Sequence, residues 1–320
     1  DLCPERASYV FLSRFRGGIK VTIQIIGGGA VGLLLASFFA EKKFAVEVVS
    51  KREKQCEALH TYGLVRNSFT GNTETFVVGA TTQLATRPDF VIVATKYEAL
   101  VQIYPLLEKL PTTVPLLFIQ NGLAHYEEAL RLPQQHIAFG SAQFGAQREN
   151  DYTVVHRGVG VLKVAVARGD VEKFSSVEKL QSELLPIQCE VDAEKMLFEK
   201  ALLNCFINPL TAILKIKNGE LLTNKHAYTL LEMLYEELVV AFPNMRVQFP
   251  FDSVTALCEK TATNTSSMLA DRLAGRKTEV ETIVGAILQK ATRENKQIPT
   301  LRMLYEMIKA IEQIESGDKM

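Results

Sequence analysis

The chain has 320 residues, 47% hydrophobic and 22% charged, with 36 basic residues balanced by 36 acidic ones. That length supports two cores, and the even balance excludes the basic footprint of a nucleic-acid binder or a polybasic membrane surface. The five scattered cysteines, Cys3, Cys56, Cys189, Cys205 and Cys258, include no C-x-x-C pair. Neither a disulfide framework nor a metal site is therefore expected, and a reducing cytoplasm is the expected setting.

Residues 1–18 lack the continuous apolar stretch of a signal peptide and read as a leader outside the fold. No later run reads as a membrane span. Residues 21–26 (VTIQII) form the first expected strand, ending directly in Gly27, Gly28, Gly29, Ala30, Val31 and Gly32, after which LLLASFFAEKK reads as a helix. Strand, glycine turn and helix are the setting in which G-x-G-x-x-G points to a dinucleotide. Gly27 permits the tight turn, Gly29 admits the pyrophosphate and Gly32 lets helix and strand approach, with the phosphates on the helix N-terminus. Gly28 is an additional glycine at what reads as a tolerant position.

The second strand, residues 46–49, bears on the choice of coenzyme. An NAD site usually places a carboxylate at its end, but here Ser50, Lys51 and Arg52 follow. A hydroxyl and two cations suit a 2′-phosphate, so NADP(H) is expected over NAD(H); Glu53 stands against this.

A helix to about Tyr62 leads into two short strands, residues 64–67 and 75–78, around the turn Thr70-Gly71-Asn72. Residues 88–95 and 115–119 are buried strands closed by Lys96 and by Gln120-Asn121-Gly122. Strand C-termini face the ligand in an open α/β sheet, which places Lys96 and Asn121 for contact with coenzyme or substrate. A solvated lysine and a turn asparagine are the alternative. From residue 136 to 167 strands with glycine turns extend the same sheet, antiparallel at its edge, before a helix over 171–184. The composition turns helical near Asp192. The expected organisation is thus a Rossmann-type doubly wound α/β domain over 19–191 and an all-helical domain over 192–320.

Within the helical part, Lys200, Asn204 and Asn208 recur every fourth residue in an otherwise apolar run, FEKALLNCFINPL. Successive members drift by only about 40°, so all three share one stripe of a buried helix. Buried amides and ammonium groups need partners, which a ligand or the local backbone would supply. Pro209 is expected to end or bend this helix. Further helices are expected over 226–241, 251–262, 280–295 and 301–314.

These pieces resemble the ketopantoate reductase (2-dehydropantoate 2-reductase) family, from about Ile23 to Leu301. GGGAVG, ATK ending at Lys96, QNG from Gln120, K-x-x-x-N-x-x-x-N-P-L-T-A from Lys200, NGEL from Asn218, and SSML with the later Thr278-Glu279 occur in the family's order. The resemblance implies NADPH-dependent reduction of 2-dehydropantoate to (R)-pantoate, in the pathway to pantothenate and coenzyme A. It implies Lys200 as the general acid with Glu279 orienting it or the substrate, Asn204 and Asn208 on the substrate hydroxyl, and Ser267 on its carboxylate. Lys96 and Asn121 would face coenzyme and reacting carbon, while Asn218 joins the substrate set with a less defined role. A homodimer is a family-level expectation. Reduction of another branched 2-oxo acid, and a non-catalytic NADP-binding sensor, are the competing readings.

Overall fold

The structure, a computed structural model, describes residues 22–317; the expected leader and Val21 lie outside the described residues. The described residues form two compact units, one of residues 22–120 with Glu127–Ala193, the other of Asn121–Tyr126 with residues 194–317.

The first unit begins with β1 (Thr22–Ile26), α1 (Ala30–Glu41), β2 (Ala45–Val49) and α2 (Glu53–Tyr62). It continues through β3 (Leu64–Ser68), β4 (Thr73–Phe76), β5 (Gly79–Thr81), β6 (Phe90–Val93), α3 (Leu100–Leu107) and β7 (Leu116–Phe118). After α4 (His125–Ala129) come β8 (Ile137–Ala142), β9 (Gly145–Arg148), β10 (Thr153–Gly158), β11 (Leu162–Arg168), α5 (Ser175–Glu178) and β12 (Ile187–Glu190).

The main sheet has the order β12-β11-β8-β7-β6-β1-β2-β5, parallel from β8 to β5, with β11 antiparallel to β8. The chain steps outward from β1 to β2 and β5, then returns to β6 on the other side of β1, with Ile26 level with both Val49 and Val93. Ligands of open α/β sheets bind where the order reverses in this way, outside the strand C-termini. The glycine turn therefore follows β1 at the switch point. Ile23, Ile25, Val48, Phe90 and Ile92 are buried from both faces, as continuous apolar strands of a parallel sheet should be.

Two expectations about this unit need correction. Residues 145–158 do not extend the main sheet. They form β9 and β10 of a second sheet, ordered β4-β3-β10-β9, which packs on α1. The reason lies in α1 itself, where Gly32 to Phe39 are all buried; a helix apolar all round needs cover on both sides. The helix over 171–184 shrinks to a 3-10 turn, Val171–Phe174, and α5. Two serines weaken helix propagation there, and Leu180 and Gln181 close tight turns onto Val177 and Glu178 instead.

The second unit contains α6 (Ala193–Leu214), α7 (Glu220–Thr223), α8 (Lys225–Ala241), α9 (Asn244–Gln248), α10 (Phe251–Lys260) and α11 (Ser267–Leu273). A π-helical turn (Glu281–Gly285), α12 (Ala286–Arg293) and α13 (Pro299–Ser316) complete it, with no strand among its described residues. Its core gathers Ala201, Leu202, Cys205, Phe206, Leu210, Leu231, Leu234, Ile283 and Leu301.

Here α6 departs from expectation twice. It does not end at Pro209 but continues to Leu214, because burial of both flanks outweighs the one backbone bond a proline removes. It is also long and apolar enough, by length and composition, to cross a membrane, contrary to the sequence reading; its apolar residues are instead those packed in this core.

Candidate functional site

The first unit holds a nucleotide-shaped turn at the head of α1. Gly27 has φ +116°, and a Cβ there would lie 2.8 Å from the Ala94 carbonyl oxygen, so only glycine turns the chain this close to β6. A Cβ on Gly32 would stand 2.0 Å from the Gly27 oxygen, whereas one on Gly29 would meet nothing. Gly29 is also the N-cap of α1 and supplies no side-chain cap. The head of the helix therefore presents amide groups to open space, which fits a pyrophosphate. Ala30 and Val31 form the first helical turn, and Lys96 follows β6 beside this turn, exposed.

Gly28 is less tolerant than it reads. A Cβ would overlap the Gln55 amide at 2.3 Å, and that amide is already committed. Its nitrogen donates to the Gly28 carbonyl at 2.8 Å and the Asp151 carbonyl at 3.1 Å. Its oxygen accepts from Ser50 Oγ at 2.7 Å and Arg52 Nη2 at 3.0 Å. The Arg52 guanidinium also pairs with the Asp151 carboxylate at 2.7 Å, while Lys51 is exposed. Ser50 thus turns inward, and the two basic side chains remain at the tip of β2. Sequence reasoning missed Gln55 and Asp151. The first has no signature, and the second lies 96 residues further along the chain.

The second unit assembles the polar stripe. Lys200, Asn204 and Asn208 lie four apart on α6. Lys200 Nζ donates to Asn121 Oδ1 at 3.0 Å, and Asn121 Nδ2 donates to Glu279 Oε2 at 3.0 Å. An amide uses both ends here, so the ammonium and the carboxylate are joined through one side chain. Desolvation pulls the Lys200 pKa down from 10.5 to about 8, against the opposing pull of the Glu279 charge.

Asn121 is held by its neighbour. Gly122 has φ +84°, a Cβ there would lie 2.0 Å from the Thr282 carbonyl oxygen, and Leu123 N donates to that same oxygen at 3.0 Å. Glu279 is held from the other side. Thr278 N and Oγ1 both donate to Glu312 Oε1, at 2.7 and 2.6 Å.

Asn208 Nδ2 donates to Ser267 Oγ at 3.2 Å. Ser267 opens α11 just after the N-cap Ser266, whose hydroxyl accepts from Leu269 N and from Thr211 Oγ1. The half-buried Asn204 amide has no hydrogen-bond partner among the described residues, which leaves its donor and acceptor to solvent or ligand. Asn218 uses only part of its side chain within the protein, since its Oδ1 is buried and has no hydrogen-bond partner among the described residues. It is buried, its Nδ2 donates to Thr261 Oγ1 at 3.0 Å and its backbone N to the Asn264 carbonyl. Among the described residues no cluster of His, Cys, Asp and Glu is suited to a metal.

Comparison with known proteins follows the same division. The family model described as "Ketopantoate reductase PanE/ApbA" matches residues 23–169, and "Ketopantoate reductase PanE/ApbA C terminal" matches 192–312. A curated 2-dehydropantoate 2-reductase from Listeria innocua is 35% identical over 297 residues, covering 92% of this chain and 97% of its own. The crystal structure of a probable 2-dehydropantoate 2-reductase from Bacillus subtilis superposes with a TM-score of 0.82 at 31% identity, over 91% of this chain and 100% of that one. A ternary structure of D-mandelate dehydrogenase with NADH and anilino(oxo)acetate has a TM-score of 0.80 at 21% identity, over 92% and 99%, and shares the fold.

Proposed function

The chain belongs to the ketopantoate reductase family, and we propose that it reduces 2-dehydropantoate to (R)-pantoate with NADPH, in the pathway to pantothenate and coenzyme A. As a member of that family it is an oxidoreductase acting on CH–OH. The substrate is supported by the name shared by the relatives that match nearly its whole length, and the coenzyme by the two basic residues at the tip of β2.

When bound, NADPH supplies a hydride to the C2 carbonyl carbon. The protein's own part is to hold the oxo acid, receive the charge that develops on oxygen and deliver a proton. Lys200 is suited to the last two. An ammonium near its pKa stabilises an alkoxide as it forms and then gives up its proton, and the resulting amine recovers one from water. Asn121 and Glu279 fix where the ammonium points. Asn204 and Asn208 have the donor and acceptor that a substrate hydroxyl needs, and Ser267 offers a hydroxyl donor for the carboxylate.

One observation carries this reading: Lys200 is desolvated to a pKa of about 8 while hydrogen-bonded to Asn121. An acid catalyst works best with a pKa near the working pH, and this position holds the ammonium there while the Asn121 amide fixes its direction. The test is NADPH oxidation in the presence of 2-dehydropantoate, with Lys200→Ala alongside. The variant is expected to lose roughly two orders of magnitude or more in turnover, the scale of losing a general acid. Turnover preserved in that variant rejects the role.

A further inference from the structure

The hairpin joining β9 and β10 brings a third cation to the coenzyme end of the first unit. Arg148, the last residue of β9, reaches Asp151 Oδ1 at 3.8 Å, the same carboxylate oxygen that Arg52 Nη2 holds at 2.7 Å. Arg148 Nη1 also lies 3.4 Å from the Gly28 carbonyl oxygen. The glycine turn, the tip of β2 and this hairpin thus meet at one place, tied together by Gln55, which bonds Gly28, Ser50, Arg52 and the Asp151 backbone. One carboxylate holds two guanidinium groups, so positive charge remains in excess even before Lys51 is considered. Both arginine side chains are partly exposed, at 41% and 38%, and can therefore meet a ligand.

Resting on the NADPH reading above, we propose that Arg148 is a further coenzyme-selecting residue that binds the 2′-phosphate together with Arg52, with Asp151 as the positioning residue that holds the pair in register. An isolated carboxylate at the end of β2 would favour a free ribose 2′-hydroxyl. Here the carboxylate comes from the hairpin and is already occupied by Arg52. Its charge is offset by the two arginines on Oδ1, and guanidinium N–H groups stand beside it at the tip of β2. A phosphate monoester carries close to two negative charges and presents oxygens that fit two forked donors. The β9–β10 hairpin is then more than a cover for α1: it brings one member of the selecting pair from far along the sequence.

The test is direct binding by titration calorimetry, with NADPH and NADH, and with the fragments 2′,5′-ADP and 5′-AMP, to the intact protein, Arg148→Ala and Arg148→Lys. Arg148→Ala is expected to weaken NADPH and 2′,5′-ADP by about tenfold to a hundredfold, the range for a charge-assisted hydrogen bond, and to leave NADH and 5′-AMP unchanged. Arg148→Lys should recover part of the loss, and the salt dependence of 2′,5′-ADP binding should be shallower in the alanine variant. Equal weakening of both coenzymes would mean that Arg148 only supports the Gly28 turn, and overturns the proposal; so does a loss of neither. A wild-type protein that binds NADH more tightly than NADPH refutes the coenzyme reading itself, an outcome separate from a wild-type NADPH preference that Arg148→Ala leaves intact.

Discussion

Replacing Glu279 by glutamine tests the coupling of the acid to its partner more sharply than deleting the acid. The substitution keeps size and hydrogen-bonding capacity but removes the charge that raises the Lys200 pKa. The two charges are linked through the Asn121 amide by hydrogen bonds of 3.0 Å at each end, a path of roughly 8 Å at most. At an effective dielectric of about 20, that separation is worth ~2 kcal/mol, or about one and a half pKa units. Lys200 should then fall from about 8 to roughly 6.5. Because the ammonium is the donor, reduction is supported below the lysine's pKa and fails above it. The basic limb of the kcat profile should therefore start near pH 8 in the natural protein and move down by about one to one and a half units in Glu279→Gln. Near pH 7 this leaves about a quarter of the lysines charged, for a fourfold loss of turnover, while near pH 5 the two proteins should nearly agree. Stopped-flow following of NADPH oxidation, with a deuterated coenzyme to isolate the chemical step, reads the limb directly. A limb that stays in place, or a loss equal at every pH, would show that Glu279 acts on substrate and not through Lys200.

Gly122→Ala forces a side chain into φ +84° and against the Thr282 carbonyl; a cost of about 1–3 kcal/mol in denaturant unfolding is expected, together with a fall in kcat as Asn121 shifts, and an unchanged kcat would separate this glycine from the catalytic geometry. Asn218→Ala removes a buried hydrogen bond to Thr261, so stability should fall by about 1–3 kcal/mol with KM for 2-dehydropantoate unchanged. A raised KM at unaltered stability would instead return Asn218 to the substrate set.

What could be read in advance from the chain follows from the range of the forces involved. β1, β2 and β6 are short apolar runs bounded by glycine, proline or charge, and local pattern suffices for them. So it does for α8, α10 and α13, whose polar faces alternate with buried residues such as Leu231, Leu234 and Leu238 in α8. The second sheet was not legible, because β10 pairs with β3 in parallel across nearly ninety residues, and nothing in either strand marks that partner. Pro209 misleads for a similar reason. A proline is a strong local signal, but the burial of Phe206 and Leu210 on either side of it is a tertiary term larger than the backbone bond it removes.

The site divides along the same line. A spacing of four places Lys200, Asn204 and Asn208 on one stripe, yet it says nothing about what that stripe faces. Asn121 is 79 residues before Lys200, and Glu279 is 158 after Asn121; only the family resemblance placed them in one set, and only geometry shows that a single amide links them. The resulting arrangement explains why a lysine serves here. An arginine remains charged at every accessible pH and has no proton to give, whereas a lysine's charge can be set by its surroundings. Burial alone would strip that charge at neutral pH, and the Glu279 carboxylate opposes the loss. The two effects together leave the pKa near the working range, so the ammonium persists at neutral pH and can still release its proton to an alkoxide.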